Sequence, residues 1–168
     1  MRPTIPFAIT AVTLLVLIAP ARAGTVEDCE QVIDRNLQIS GCTAVIGSGQ
    51  WEGSDLAWAY NNRGFAYFDL AEYQRAIEDY DHALRLDPKL ADAHFNRGLS
   101  FFRLGDFAPA IEGFDQTLRL EPDAAHAYHG RGSAYARLGE LARAIDEYIE
   151  ALRLDPDNPT VYFGRLYT

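Results

Sequence analysis

Few residues of this 168-residue chain have the types and spacing that chemistry requires. Cys29 and Cys42 are the two thiols; His126 and His129 stand i, i+3, which on a helix turns both rings to one side; neighbouring carboxylates recur at Glu78/Asp79 and Asp146/Glu147. Thiols can attack a substrate, bind a metal or join as a disulfide. A zinc site would need two more ligands close by, and residues 24–56 contain no histidine. His126, His129 and Asp92 together could make a weak metal site, against the plainer reading of polar residues lining a groove. We expect no metal and no other cofactor. There is no glycine-rich phosphate loop, no G-x-S-x-G elbow and no H-E-x-x-H helix. An enzyme needs a nucleophile, a base and an orienting group that converge. Nothing in the chain supplies that set, so the protein is read as not an enzyme.

The composition narrows the partners. With 24 acidic and 15 basic side chains the formal charge is −9, which argues against binding nucleic acid, because affinity for phosphate backbones comes from Lys and Arg. The hydrophobic fraction, 48%, is enough for one modest domain or a small array. Residues 1–23 read as a secretory signal peptide: basic Arg2, then Ile5 to Ala19 without charge, then Ala21-Arg22-Ala23 with small residues at the −3 and −1 positions before Gly24. A spanning helix needs about 20 apolar residues, and this stretch is shorter and carries Pro6, Thr10 and Thr13. The mature chain would have no membrane span and would be periplasmic or secreted. In that oxidising setting Cys29 and Cys42 are expected to pair.

The rest of the chain repeats every 34 residues. Gly64, Gly98 and Gly132 keep that step, as do Ala76, Ala110 and Ala144, and Pro88, Pro122 and Pro156. The aromatics follow in Tyr67, Phe101 and Tyr135 and in Tyr80, Phe114 and Tyr148. A third series runs through Tyr60, His94, Tyr128 and Tyr162. This pattern resembles the tetratricopeptide repeat family, and most closely its secreted bacterial members with a paired-cysteine N-terminal hairpin and an opening such as Ala59 to Gly64. The resemblance implies an all-α fold, a right-handed superhelical solenoid of antiparallel helix pairs. Repeats are expected at 57–90, 91–124 and 125–158, after a degenerate disulfide-stapled hairpin and connection at 24–56, with residues 159–168 starting a fourth repeat or a capping helix.

The residue types fit that plan. Apolar residues recur at helical spacing in two blocks per unit, and glycine on helix A faces alanine on helix B so that the backbones approach closely. Gly105 and Gly139 suit a left-handed stop after helix A, whereas Ala71 holds that place in the first unit and should fix its turn less well. Proline stops each helix B, and Pro109 falls in a first turn where its missing N–H has no partner. Gly113 and Thr117 are poor helix formers and suggest that the second helix B is the least stable. Ser54 or Asp55 is expected to cap the first full unit. A Cys29–Cys42 bridge would stabilise the short first hairpin by about 3 kcal/mol.

What the resemblance implies for function is a concave surface that holds a partner's peptide or helix. Its residues here would be Trp58, Asn61, Phe65, Phe68 and Asp69, then Asp92, Phe95, Leu99, Phe102 and Arg103, then His126, His129, Ser133, Ala136 and Arg137, with Asn62 and Asn96 as two rungs of an asparagine ladder. Asp69 and Asp92 would balance Arg103 and Arg137. The family's carboxylate clamp for chaperone C-termini is matched only at Asn96. Arg63, Arg97, Arg131 and Arg165 form an arginine series expected to pair between repeats with acids such as Glu78, Glu112 and Asp146. The function expected is that of an exported scaffold or adaptor. The alternatives are a structural protein that self-assembles through the apolar residues 159–168, and a weak metal-binding protein.

Overall fold

Alternating blocks of helical periodicity, separated at glycine, alanine and proline, fold into eight helices among the described residues. The structure is a computed structural model that describes residues 25–30 and 33–156. Helices α1 (Val26–Glu30) and α2 (Arg35–Gly47) form the short first hairpin. Three longer pairs follow: α3 (Ser54–Asp69) with α4 (Tyr73–Leu86), α5 (Ala91–Leu104) with α6 (Phe107–Leu120), and α7 (Ala125–Arg137) with α8 (Leu141–Leu154). No strand occurs among the described residues. The expected signal peptide at 1–23 and the segment 159–168, with Tyr162 and Arg165, lie outside them.

Each helix packs on its neighbours in the chain, and beyond that α1 reaches α3, α3 reaches α5 and α5 reaches α7. The even-numbered helices do not approach one another to the same degree. A row of helices that touch on one side and spread on the other must curve, so α3, α5 and α7 line the inside of the solenoid. Between the layers lie small residues and rings. Ala76, Ala110 and Ala144 are fully buried, as are the rings of Tyr80 and Phe114.

The turns after helix A follow the expected chemistry. Gly105 and Gly139 sit at φ +90° and +80°, and Ala71 takes the same left-handed conformation at +60°. Its N–H still donates to the Phe68 carbonyl and that of Glu72 to the Tyr67 carbonyl, so the turn forms against the steric preference of a Cβ. Ala71→Gly is therefore expected to stabilise the protein by about 1 kcal/mol, read as a higher urea midpoint at unchanged slope. An unchanged or lower midpoint would show that the unfolded-state entropy of glycine outweighs the relief.

Helix α3 begins differently from expectation. Gly53 at φ +56° is its N-cap, no side chain caps it, and Ser54 and Asp55 are already inside the helix and exposed. The positive φ that turns the chain into α3 suits glycine, which displaces the capping position by one residue. A side-chain cap exists instead on α2, where Asp34 accepts from the N–H groups of Asn36 and Leu37 at 2.9 and 3.1 Å.

The first hairpin has little core of its own, because α1 is a single turn and a bit more. Cys29 and Cys42 are buried with their sulfur atoms 2.13 Å apart, packed with Val45 and with Ala59 of α3. The helices cross closely at Gly41, where a Cβ would lie 2.6 Å from both the Asp28 Cβ and the Cys29 nitrogen. Helix α6 carries its poor helix formers for a packing reason: Gly113 is buried against Gly98, and the buried Thr117 hydroxyl donates to the Gly113 carbonyl at 3.1 Å.

Candidate functional site

The inner face of α3, α5 and α7 is aromatic along its first two units. Trp58 meets Trp51 edge-on at 6.1 Å, Phe68 lies 5.4 Å from Tyr73, and Phe95 contacts Phe114 at 5.5 Å and the His126 ring at 4.4 Å. Guanidinium groups stack on this face. Arg35 covers Phe65 at 4.9 Å, Arg103 covers Phe68 at 5.9 Å, and Arg137 lies over Phe107 and Phe102 at 4.9 and 5.7 Å. Each arginine past the first reaches back onto an aromatic ring of the preceding unit, because the last turn of one helix A overhangs the unit before it.

Between α5 and α7 the face opens into a cleft of about 170 Å³ lined by Leu99, Phe102, Arg103, Phe114, His129, Gly130 and Ser133. Leu99, Phe102, Arg103, His129 and Ser133 were expected in a groove and do converge there. Phe114 and Gly130 were not. A Cβ on Gly130 would stand 2.9 Å from the Phe114 ring, so glycine at the third ladder position makes room for that ring to floor the cleft. The sequence shows the missing asparagine but not what fills its place.

Other expected groove residues serve the fold. The Asn62 amide donates to the Cys29 carbonyl at 3.4 Å, which ties α3 to the first hairpin. The Asn61 carbonyl oxygen is buried without a hydrogen bond, and Asn96 is half-buried. Asp92 and His126 are exposed at the groove's outer turns. Asp69 forms an ion pair with Arg35. That corrects the expected balance of charge: the N-terminal hairpin already neutralises Asp69, so Arg103 and Arg137 outweigh Asp92 and the groove is locally cationic within an acidic protein.

The arginine series stands on the opposite side. At about 100° per residue, positions 97 and 99 of α5 point roughly 200° apart. Its partners differ from those expected by one to three residues. Arg63 pairs in a bidentate manner with Asp79 at 2.7 and 2.8 Å, and Arg131 bridges Glu147 at 2.8 Å and Asp115 at 2.5 Å. Arg97 meets Asp81 at 3.1 Å. Glu78, Glu112 and Asp146 face outward and are exposed instead. The helix crossing sets a step of sixteen residues in either direction, which selects 79, 81, 115 and 147. The hydrogen bond to Asp79 raises the pKa of Arg63. Burial opposes the charge on Arg131, but its bonds to Asp115 and Glu147 win and raise its pKa as well. Burial also pushes the Glu147 carboxyl above the usual range against the pull of Arg131.

Among the described residues no three His, Cys, Asp or Glu side chains come together as a metal would require. His126 lies against Phe95, and His129 is 5.6 Å from the Tyr148 ring.

Two family models match the chain, one described as TPR repeat over residues 66–105 and one as tetratricopeptide repeat over residues 99–159. No curated protein matches it significantly. Among solved structures it is similar to the first TPR of Spaghetti (RPAP3) bound to the HSP90 peptide SRMEEVD, at 28% identity over 71% of this chain and 94% of that one, with a TM-score of 0.67. The second TPR domain of human RPAP3 in complex with the HSP70 peptide SGPTIEEVD is 26% identical over 64% of this chain and 90% of that one, with a TM-score of 0.62. MamA is 28% identical over 73% and 69% of the two chains, with a TM-score of 0.66. The two models together span more than half of the sequence, and the helix pairs stack as theirs do: the chain belongs to the tetratricopeptide repeat family.

Proposed function

We propose that this protein is a non-catalytic scaffold or adaptor that takes a partner's peptide or helix into the groove of α3, α5 and α7. The observation that carries the reading is the cleft between α5 and α7, apolar at Leu99 and Phe102 above the buried Phe114 ring and edged by Arg103. An apolar side chain fits the floor, and a carboxylate beside it meets Arg103 and Arg137. Similar proteins hold short peptides rich in glutamate and ending in valine and aspartate, which supports an acidic, aliphatic segment as the class of ligand. Since the clamp residues for a chaperone's C-terminus are mostly absent here, the segment need not end the partner chain.

The reading extends to export. Residues 1–23 support cleavage before Gly24, and mass spectrometry of the exported chain would begin there if that is right. In an oxidising compartment Cys29 and Cys42, already at bonding distance, form the disulfide that holds the first hairpin.

The test is capture of partners from an envelope extract by Phe95→Ala with Phe102→Ala. Aromatic anchors are worth about 2 kcal/mol or more each, so the double variant should lose partner affinity by on the order of a hundredfold or more while its helical signal stays. Recovery of the same partners at the same yield would end the groove reading.

One observation keeps self-assembly as a second reading. Leu141, Ile145 and Ile149 form an exposed stripe on α8, whereas Ile77, the matching residue of Ile145 on α4, is buried. Light scattering decides it: self-assembly through residues 159–168 predicts a larger mass only when that segment is present, and self-assembly through the α8 stripe predicts a larger mass that Ile145→Glu with Ile149→Glu abolishes.

A further inference from the structure

The arginine lattice has a gap. Arg63 is satisfied on both sides, by Asp79 of its own unit and by the Thr43 hydroxyl at 3.0 Å from the preceding one. Arg131 likewise holds Glu147 ahead and Asp115 behind. Arg97 has only Asp81 behind, because sixteen residues ahead stands Gly113. The Asp81 oxygen is within ion-pair distance of the Arg97 Nε but out of line with its N–H, and that nitrogen is buried without a hydrogen bond.

Gly113 cannot be replaced by the acid that the lattice requires. A Cβ there would lie 2.7 Å from the Gly98 Cα and 2.8 Å from the His94 carbonyl oxygen, both backbone atoms. The close crossing of α5 and α6 thus admits no side chain at 113, and beside it lies a cleft of about 260 Å³ walled by His94, Arg97, Gly113, Gln116 and Arg119. Two acids also line it. Asp115 is already bound to Arg131, and Glu112 is exposed. His94 donates its Nε2–H to the Pro88 carbonyl at 3.0 Å, which leaves its buried Nδ1 as an acceptor that a carboxylate does not satisfy.

We infer that this cleft binds a carboxylate from outside the chain, which takes the place of Asp79 and Glu147 in the second unit. The ligand's carboxylate accepts from the Arg97 guanidinium, with Arg119 as the second cation at the mouth. The site lies on the side of α5 away from the groove, so it is independent of the peptide reading. The carboxylate can come from a small organic acid or from an Asp or Glu side chain of a bound protein, and both present the same group.

The experiment follows the Arg97 Nε–H signal and the backbone amides of residues 94–97 and 113–119 by nuclear magnetic resonance in the full chain. The probes are acetate and a glutamate blocked at both ends, titrated at constant ionic strength against chloride. Saturable shifts confined to these residues are expected with at least one probe; tighter acetate binding points to a small acid, and tighter blocked glutamate to a protein side chain. Gln116→Glu places a carboxylate in the cleft and should weaken the probe about tenfold, the loss of one charge-assisted hydrogen bond, while the fold is kept. Arg97→Gln should abolish saturation. Linear, chloride-like shifts with both probes, or unchanged binding in Gln116→Glu and Arg97→Gln, would overturn the inference.

Discussion

Phe114→Ala is expected to lower the unfolding free energy by about 3–5 kcal/mol, the range for truncating a fully buried phenylalanine. The ring has 0% exposure and touches all three helices α5, α6 and α7: it is tilted against Phe95 with centroids 5.5 Å apart, lies 3.2 Å from where a Gly98 Cβ would be, and fills the space that Gly130 leaves open. Removal would strip contacts from three helices at once, and the helices cannot close in without moving two units. The same slot holds Tyr80 and Tyr148 in the other units. The Tyr148 hydroxyl donates to Ser133 at 3.2 Å, while that of Tyr80 is buried without a partner and has its pKa raised by burial. Urea denaturation of the variant checks the prediction, and a loss below about 1 kcal/mol would mean that the slot collapses around the gap.

Gly113→Ala reverses the usual sign. Glycine inside a helix costs about 1 kcal/mol relative to alanine, so propensity alone predicts a gain. Here the added methyl would enter the backbone of α5, which cannot rotate aside as a side chain would. The helices must separate, and overpacking of this kind costs about 1–3 kcal/mol. We therefore expect a net loss, seen as a lower thermal midpoint. Gly47→Ala in α2 is the control, because open space surrounds a Cβ there, and its effect should be neutral or favourable. Should both substitutions raise the midpoint, the α5–α6 crossing is looser than these distances state.

Much of the architecture was legible along the chain. The 34-residue step of glycine, alanine and proline announced paired helices, and the left-handed turns at Ala71, Gly105 and Gly139 fell where the residue types placed them. The groove was partly legible, since Leu99, Phe102, Arg103, His129 and Ser133 meet in one cleft. The misses share a cause. The cap at Gly53 depends on the direction from which the chain enters α3, and Phe114 reached the groove because its opposite neighbour is a glycine. Asp69 reads as groove charge along the chain, but Arg35, from a hairpin with weak repeat character, holds it in an ion pair.

The repeat, the helices and the residue types at their contacts follow from the chain alone, because periodicity and turn chemistry are local and are read residue by residue. Which of two adjacent acids faces an arginine and which faces water, why the second unit must carry glycine at 113, and where a positive groove lies in a negative protein come from the packing of the helices. Those depend on how two helices cross. A shift of one residue turns a side chain by about 100°, and no pattern along a single helix records where its neighbour stands.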